Sequence, residues 1–261
     1  FADKSDWLKY RDPTLATVGI TFYRAHWLSG NTHFVDAMIR SLEERGLNAL
    51  PVFTSSLKAV DPDTGKPLAF GYFETESGMG IDVLLNTISF ATTEIRPVGQ
   101  GNNASRALLD LDVPVLQAIT SGMGRGPWES SARGPNPLDT AMNVAIPEFD
   151  GRIITVPVSF KEKGKDTRGY EPLDNRIDRV AGIALRFARL RHLKNADKKV
   201  AFIFTNSNTK ASQIGNAVGL DAPASLLNIL RAMQAEGYQI DNLPATGTEL
   251  IHSVIDRCAY D

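Results

Sequence analysis

The chain has 261 residues, of which 43% are hydrophobic and 22% charged, with a formal net charge of −2. That is an ordinary composition for a globular protein, enough for one large domain or two modest ones. It carries no basic surplus that would point to nucleic acid or an anionic membrane as partner. No apolar run approaches the ~20 residues of a membrane span. The single cysteine, Cys258, excludes an internal disulfide framework and a multi-cysteine zinc site, so a reducing, cytoplasmic setting is expected.

Residues 1–16 are polar apart from residues such as Trp7 and Tyr10 and read as a loosely packed lead-in. Val18 to Tyr23 is a strand, and Arg24 to Thr32 its polar loop. Phe34, Val35, Met38, Ile39 and Leu42 mark one face of a helix that Gly46 closes. Asn48 to Phe53 is a second strand, and Pro51 inside it argues for a sheet edge or a bulge. Residues 54–80 read as an irregular insertion. Ile81–Thr87 is a third strand, Ala104–Leu111 a short helix, and Val113–Ile119 a fourth strand. The loop from Thr120 to Pro137, with its glycines and Trp128, is too long to be a plain connection. Leu138–Ala145 reads as helix, Arg152–Val158 as strand and Asp174–Lys194 as the longest helix.

Val200–Phe204 has the composition of a buried parallel strand. A polar loop follows, and Asp221 is placed to cap a helix with Pro223 in its first turn and Gly237 beyond its end. The helix positions Val35, Met38, Ile39, Leu42 and Gly46 align without a gap on Leu226, Ile229, Leu230, Met233 and Gly237. The expected fold is therefore α/β: two Rossmann-like units with mainly parallel sheets and helices on both faces. The first unit spans 17–170, with long insertions; the second, 171–261, begins with a linking helix. The first residue is not methionine, and an amphipathic pattern runs through 249–257; the expectation is a piece of a longer chain.

Gly122-Met123-Gly124-Arg125-Gly126 lacks the spacing of a dinucleotide loop, and Lys210 lacks the glycines of a P-loop. If ATP is used, another chain hydrolyses it. His26 follows a strand end between Arg24 and Trp27, where imidazole can serve as base or metal ligand. Spacing alone favours a hydrogen-bonded loop histidine. Glu74, Glu76, Asp82, Glu94 and Glu148 form no pair in sequence, and Arg186, Arg189 and Arg191 read as a solvated helix face.

Arg24-Ala25-His26-Trp27-Leu28-Ser29-Gly30-Asn31 resembles a signature of the CobN/magnesium-chelatase large-subunit family. So do Trp128-Glu129-Ser130-Ser131 with Gly134, Pro137 and Asp139. Pro147 to Ile154, with Pro157 and Ser159-Phe160-Lys161-Glu162, is similar to the cobalt branch, as are Ile214 to Asp221 with Pro223-Ala224-Ser225. The stretch Asn206-Ser207-Asn208 departs from the family, which has a proline there.

The resemblance implies part of the tetrapyrrole-binding large subunit of an ATP-dependent cobaltochelatase. Such a subunit inserts Co²⁺ into hydrogenobyrinic acid a,c-diamide in cobalamin biosynthesis, with AAA+-type ATPase subunits as partners that hydrolyse the ATP. Two alternatives stand beside it: a non-catalytic docking scaffold for those ATPase subunits, and a magnesium chelatase large subunit acting on protoporphyrin IX. Chelation needs a base near the macrocycle, a broad cavity, and polar groups for the ligand's arms. On this basis His26 is the expected base or transient metal ligand. Arg24 and Lys210 are expected to meet acidic arms; Asn31 and Asn216 should donate hydrogen bonds. Asn206 and Trp128 complete the expected substrate-binding set, and the His26 loop and the 206–225 loop are expected to face one cleft.

Overall fold

The structure is a computed structural model that describes residues 3–76, 78–92, 108, 111–163, 168–204, 216, 217 and 219–257. The chain divides into two compact units, Phe1–Arg191 and His192–Asp261.

In the first unit the apolar runs become β1 (Thr17–Tyr23), β2 (Asn48–Thr54), β5 (Val83–Asn86), β6 (Val115–Ser121) and β7 (Ile153–Lys163), of which β1, β5 and β6 are buried on both faces almost throughout. Alternate residues serve opposite faces. Val18, Ile20 and Phe22 enter one core with Val83, Leu85, Leu116 and Ala118, while Leu50, Val52, Leu84 and Val115 enter the other. Among the described residues the main sheet has six strands, these five and β8 (Arg168–Pro172), in the order β2-β1-β5-β6-β7-β8. All neighbours are parallel except β8, which returns antiparallel along β7. The mixed α/β, mainly parallel architecture expected from the alternation of elements is observed, and Pro51 lies on an edge strand.

One face of the sheet is covered by α3 (His33–Glu43) and α7 (Asp174–His192). Phe34, Val35, Met38 and Leu42 from α3 meet Ile177, Val180, Ala184 and Ala188 from α7 in the same core. The helices are also tied at the surface, where Ser41 Oγ donates to Asp178 at 2.7 Å. The other face is covered by α1 (Lys4–Leu8) and a 3₁₀ turn at Leu68–Tyr72, which bring Trp7, Phe70 and Phe73 onto Leu50, Val52 and Leu84. The N-terminal lead-in is therefore anchored rather than loose: Trp7 is buried and its indole Nε1 donates to the Ala49 carbonyl at 2.8 Å.

Several loops contain more structure than their polarity suggests. The expected loop after β1 opens with a short helix, α2 (Arg24–Leu28). The insertion at 54–80 holds the 3₁₀ turn and the two-residue strands β3 (Glu74–Thr75) and β4 (Gly78–Met79). The loop after β6 contains α4 (Arg125–Glu129). The next helical run passes from α5 (Pro137–Thr140) through a π turn at Ala141–Ala145 into α6 (Ile146–Glu148). The expected helix Ala104–Leu111 lies almost wholly outside the described residues.

In the second unit, β9 (Asn216–Ala217) and β10 (Leu220–Asp221) form an antiparallel ladder ahead of α8 (Ala222–Ala235). Asp221 caps α8 as expected, its Oδ1 accepting the Ala224 N–H at 3.0 Å. Leu226 and Leu227 of α8 pack with Leu250 of α9 (Gly247–Arg257). The expected buried strand Val200–Phe204 is a correction: its described residues carry no strand pairing, and Ile203 is 91% exposed. Apolar composition cannot make a strand without a neighbour for its N–H and C=O groups, and none adjoins it among the described residues.

Candidate functional site

The strand order reverses direction at β1, whose neighbours are β2 on one side and β5 on the other. In open α/β sheets a crevice forms beyond the carboxyl ends of the strands at such a point. Here its walls are the turn after β1 and the turn after β5, with the ends of β6 and β7 continuing the rim.

β1 runs directly into α2 at Arg24, so His26 is carried just past the strand end. Its half-buried ring lies edge-on to Phe34 at 5.1 Å and to Tyr170 at 5.2 Å, and Tyr23 is 6.3 Å away. Among the described residues neither ring nitrogen of His26 makes a hydrogen bond. Burial lowers its proton affinity, and the nearby Lys161 ammonium lowers it further, so the imidazole is neutral at pH 7. Lys161 itself is exposed, with Nζ 5.9 Å from the centre of the Tyr170 ring and no carboxylate partner among the described residues. Burial raises the pKa of the Tyr23 and Tyr170 phenols; Asp139 raises Tyr170 further. Both stay neutral donors. The aromatic arrangement is locked by Asn31, whose Oδ1 accepts the Tyr170 backbone N–H at 2.9 Å.

A buried polar chain supports the β5 wall. Thr21 Oγ1 donates to Asn86 Oδ1 at 2.6 Å, and Asn86 Nδ2 donates to Gln117 Oε1 at 2.7 Å. Arg152, only 3% exposed, reaches Gln117 Oε1 at 3.0 Å, the Ile88 carbonyl at 2.9 Å and the Phe90 carbonyl at 2.8 Å. Its counter-charge is Asp150, which also accepts the Thr92 N–H at 2.8 Å. Burial pulls the Arg152 guanidinium down from its usual pKa while Asp150 pushes it back up. Between the gripped carbonyls, Phe90 adopts φ 65°, a conformation that costs a bulky residue about 1–3 kcal/mol. Ser89 connects the two walls: its carbonyl accepts from Tyr23 Oη at 3.4 Å, and its hydroxyl donates to Asn143 at 2.6 Å.

At the end of β6, the buried Asp139 carboxylate accepts from Ser121 Oγ at 2.7 Å, from the Gly122 N–H at 3.0 Å and from Asn136 Nδ2 at 3.1 Å. These donors hold the glycine-rich turn in place. Trp128 packs on Phe160 at 4.8 Å and lies under the Arg176 guanidinium at 5.6 Å. Phe160 and Lys161 are consecutive on β7, so by strand alternation Trp128 and Tyr170 stand on opposite sides of it. Trp128 lines a separate groove of about 480 Å³ with Arg125, Leu173 and Arg176.

Of the residues expected from sequence, the structure brings His26 and Asn31 together. Arg24 is exposed on the first turn of α2. Trp128 is displaced to the far side of β7. Asn216 opens β9 in the second unit, and Asn206 and Lys210 lie outside the described residues. Sequence reasoning missed Tyr23, Phe90, Lys161 and Tyr170. The composition Lys163-Gly164-Lys165-Asp166, a turn signal in sequence, could have suggested that β7 and β8 pair antiparallel, and with it Lys161 opposite Tyr170. Among the described residues no group of three or more His, Cys, Asp or Glu side chains could hold a metal, and no helix is long and apolar enough to cross a membrane.

Comparison with known proteins bears on the chain as a whole. The chain is 38% identical to the aerobic cobaltochelatase subunit CobN of Pseudomonas aeruginosa, covering 99% of this chain and 20% of that protein. It is 30% identical to a magnesium-chelatase subunit of Cereibacter sphaeroides, over 86% of this chain and 20% of that protein. The solved catalytic subunit of cobaltochelatase from Mycobacterium tuberculosis superposes with a TM-score of 0.79 at 38% identity, covering 93% of this chain and 20% of that one. The chain thus spans about a fifth of the length of these relatives. The profile of the family described as CobN/Magnesium Chelatase matches residues 1–261, and the chain belongs to that family.

Proposed function

We propose that this chain is part of the tetrapyrrole-binding large subunit of an ATP-dependent cobaltochelatase, and that it contributes the proton acceptor for insertion of Co²⁺ into hydrogenobyrinic acid a,c-diamide. The observation that carries the reading is His26: a neutral imidazole whose ring nitrogens make no hydrogen bond among the described residues, just past the end of β1 in a chain of this family. Metal insertion releases two ring N–H protons. His26 takes one, returns it to solvent and takes the second, while the metal exchanges bound water for ring nitrogens. A single neutral imidazole also suits a transient cobalt ligand, because a metal in transit must be released. Lys161 and Arg24 offer cations to the acidic arms. ATP is hydrolysed by AAA+-type partner subunits, as the family resemblance implies. The greater identity to the cobalt enzyme than to the magnesium enzyme favours cobalt over magnesium with protoporphyrin IX.

The test is His26→Ala in the full-length subunit, assayed with its ATPase partners. Chelation should fall at least about a hundredfold, the usual scale of one acid–base group, with tetrapyrrole binding kept. Unchanged chelation with intact binding removes His26 from the reaction. Loss of ATPase docking with unchanged tetrapyrrole binding would favour the scaffold role.

A further inference from the structure

We propose that Phe90 is the stacking platform for one face of the flat tetrapyrrole, held in place by the buried Arg152–Asp150 pair. The inference rests on the chelatase reading above, which supplies the flat ligand. It names the residue that receives that ligand's ring.

Three described residues other than glycine have positive φ: Phe90, Asp112 and Asn242. Asp and Asn tolerate that region because their short side chains bond locally; phenylalanine has no such compensation. Core packing does not explain Phe90 either, because 48% of it is exposed. The backbone is held from several directions at once. Its N–H donates to the Met142 carbonyl at 3.1 Å and its carbonyl accepts from Arg152. Two residues earlier, the Ile88 carbonyl accepts from Arg152, Asn86 and Gln117. Two residues later, Asp150 accepts the Thr92 N–H. Such a constrained conformation, keeping a large aromatic ring in solvent, is how binding sites present a surface before the ligand arrives.

Position supplies the second argument. Phe90 is on the β5 wall of the switch-point crevice and His26 is on the β1 wall. The two are linked through Ser89, which accepts from Tyr23, whose ring neighbours that of His26. Ser89 thus ties the turn that presents Phe90 to the strand end that carries His26. An aromatic face suits a conjugated macrocycle, and any acidic arms would lie toward the Lys161 side.

The test uses Phe90→Gly and Phe90→Tyr in the full-length subunit, titrated with protoporphyrin IX and with a corrin by absorbance and fluorescence quenching. Hydrogen exchange of β5 and of residues 87–92 is followed in parallel. Glycine accepts φ 65° without strain, so exchange protection should stay or increase while tetrapyrrole binding weakens about threefold to tenfold. Tyrosine should bind as phenylalanine does. Wild-type affinity in Phe90→Gly overturns the proposal, as does loss of protection together with binding, which would make Phe90 a structural residue. Failure of the wild-type subunit to bind either tetrapyrrole overturns both this proposal and the chelatase reading; binding by the wild type with an unaffected glycine variant overturns this one alone.

Discussion

Asp150 Oδ2 and Arg152 Nη2 stand 2.6 Å apart, two positions apart in sequence, with neither side chain exposed to water. The pair, just ahead of β7, grips the turn after β5. Removing one partner strands the other's charge, so Arg152→Met should destabilise the first unit by about 3–5 kcal/mol. The double change Asp150→Asn with Arg152→Met should cost less than the single one. Urea unfolding followed by tryptophan fluorescence measures this for the first unit alone, because Trp7, Trp27 and Trp128 all lie within it. A double variant as unstable as Arg152→Met would show that packing, not charge, is what the pair supplies.

The His26–Lys161 relationship predicts a titration. Since the folded state holds His26 below its ordinary value of 6.5, the unfolded chain binds the proton first as pH falls through 6.5. His26 therefore costs stability as pH drops below that value, until its own folded pKa is passed, and costs nothing above it. Imidazole proton resonances, assigned with His26→Gln, should show a midpoint below 6.5. In Lys161→Met the midpoint should rise toward 6.5 and stop short, because burial, the larger cause, remains. An unmoved midpoint would show that Lys161 does not act on the imidazole.

Gly19 sits in the middle of β1 where no side chain fits. A Cβ there would meet Ile81 Cδ1 and Phe73 Cε1, each at 2.9 Å, and both neighbours are buried with nowhere to move. Gly19→Ala should destabilise the first unit by about 1–3 kcal/mol, as overpacked cores do. The lower urea midpoint should come with a slope unchanged from wild type.

The second unit has its own close approach. A Cβ on Gly247 would lie 2.9 Å from the Ala224 backbone nitrogen, so α9 would have to move off α8. Gly247→Ala should raise hydrogen-exchange rates at Leu226, Leu227 and Leu250 and leave the tryptophan-reported transition unchanged. Slower exchange at those leucines would contradict the close packing of the two helices.

What was legible in the sequence was local. β1 announces itself in Val18 to Phe22, α3 in its apolar stripe and in Gly46, and α8 in Asp221, Pro223 and Gly237, each read within a few residues. The rest depends on partners far along the chain. β8 exists because β7 offers it a ladder, whereas Val200–Phe204 has the right composition and no ladder among the described residues. His26 could be picked out by its place after a strand. That Asn31 would fasten Tyr170, 139 residues later, could not. Phe90 is the clearest case: its backbone angle is set by Arg152 and Met142, and nothing in Ser89-Phe90-Ala91 foretells it.

Pro51 has a consequence for how this sheet ends. The Asn48 N–H points inward to the Ala16 carbonyl, so the backbone groups of Ala49 and Pro51 point out from the border strand. The Ala49 carbonyl is already engaged by the Trp7 indole, and proline has no hydrogen to offer. A foreign strand approaching this border finds one acceptor taken and one donor missing. The nascent polypeptide is thereby protected, along this border, from zipping onto copies of itself while the rest of the molecule is still being assembled.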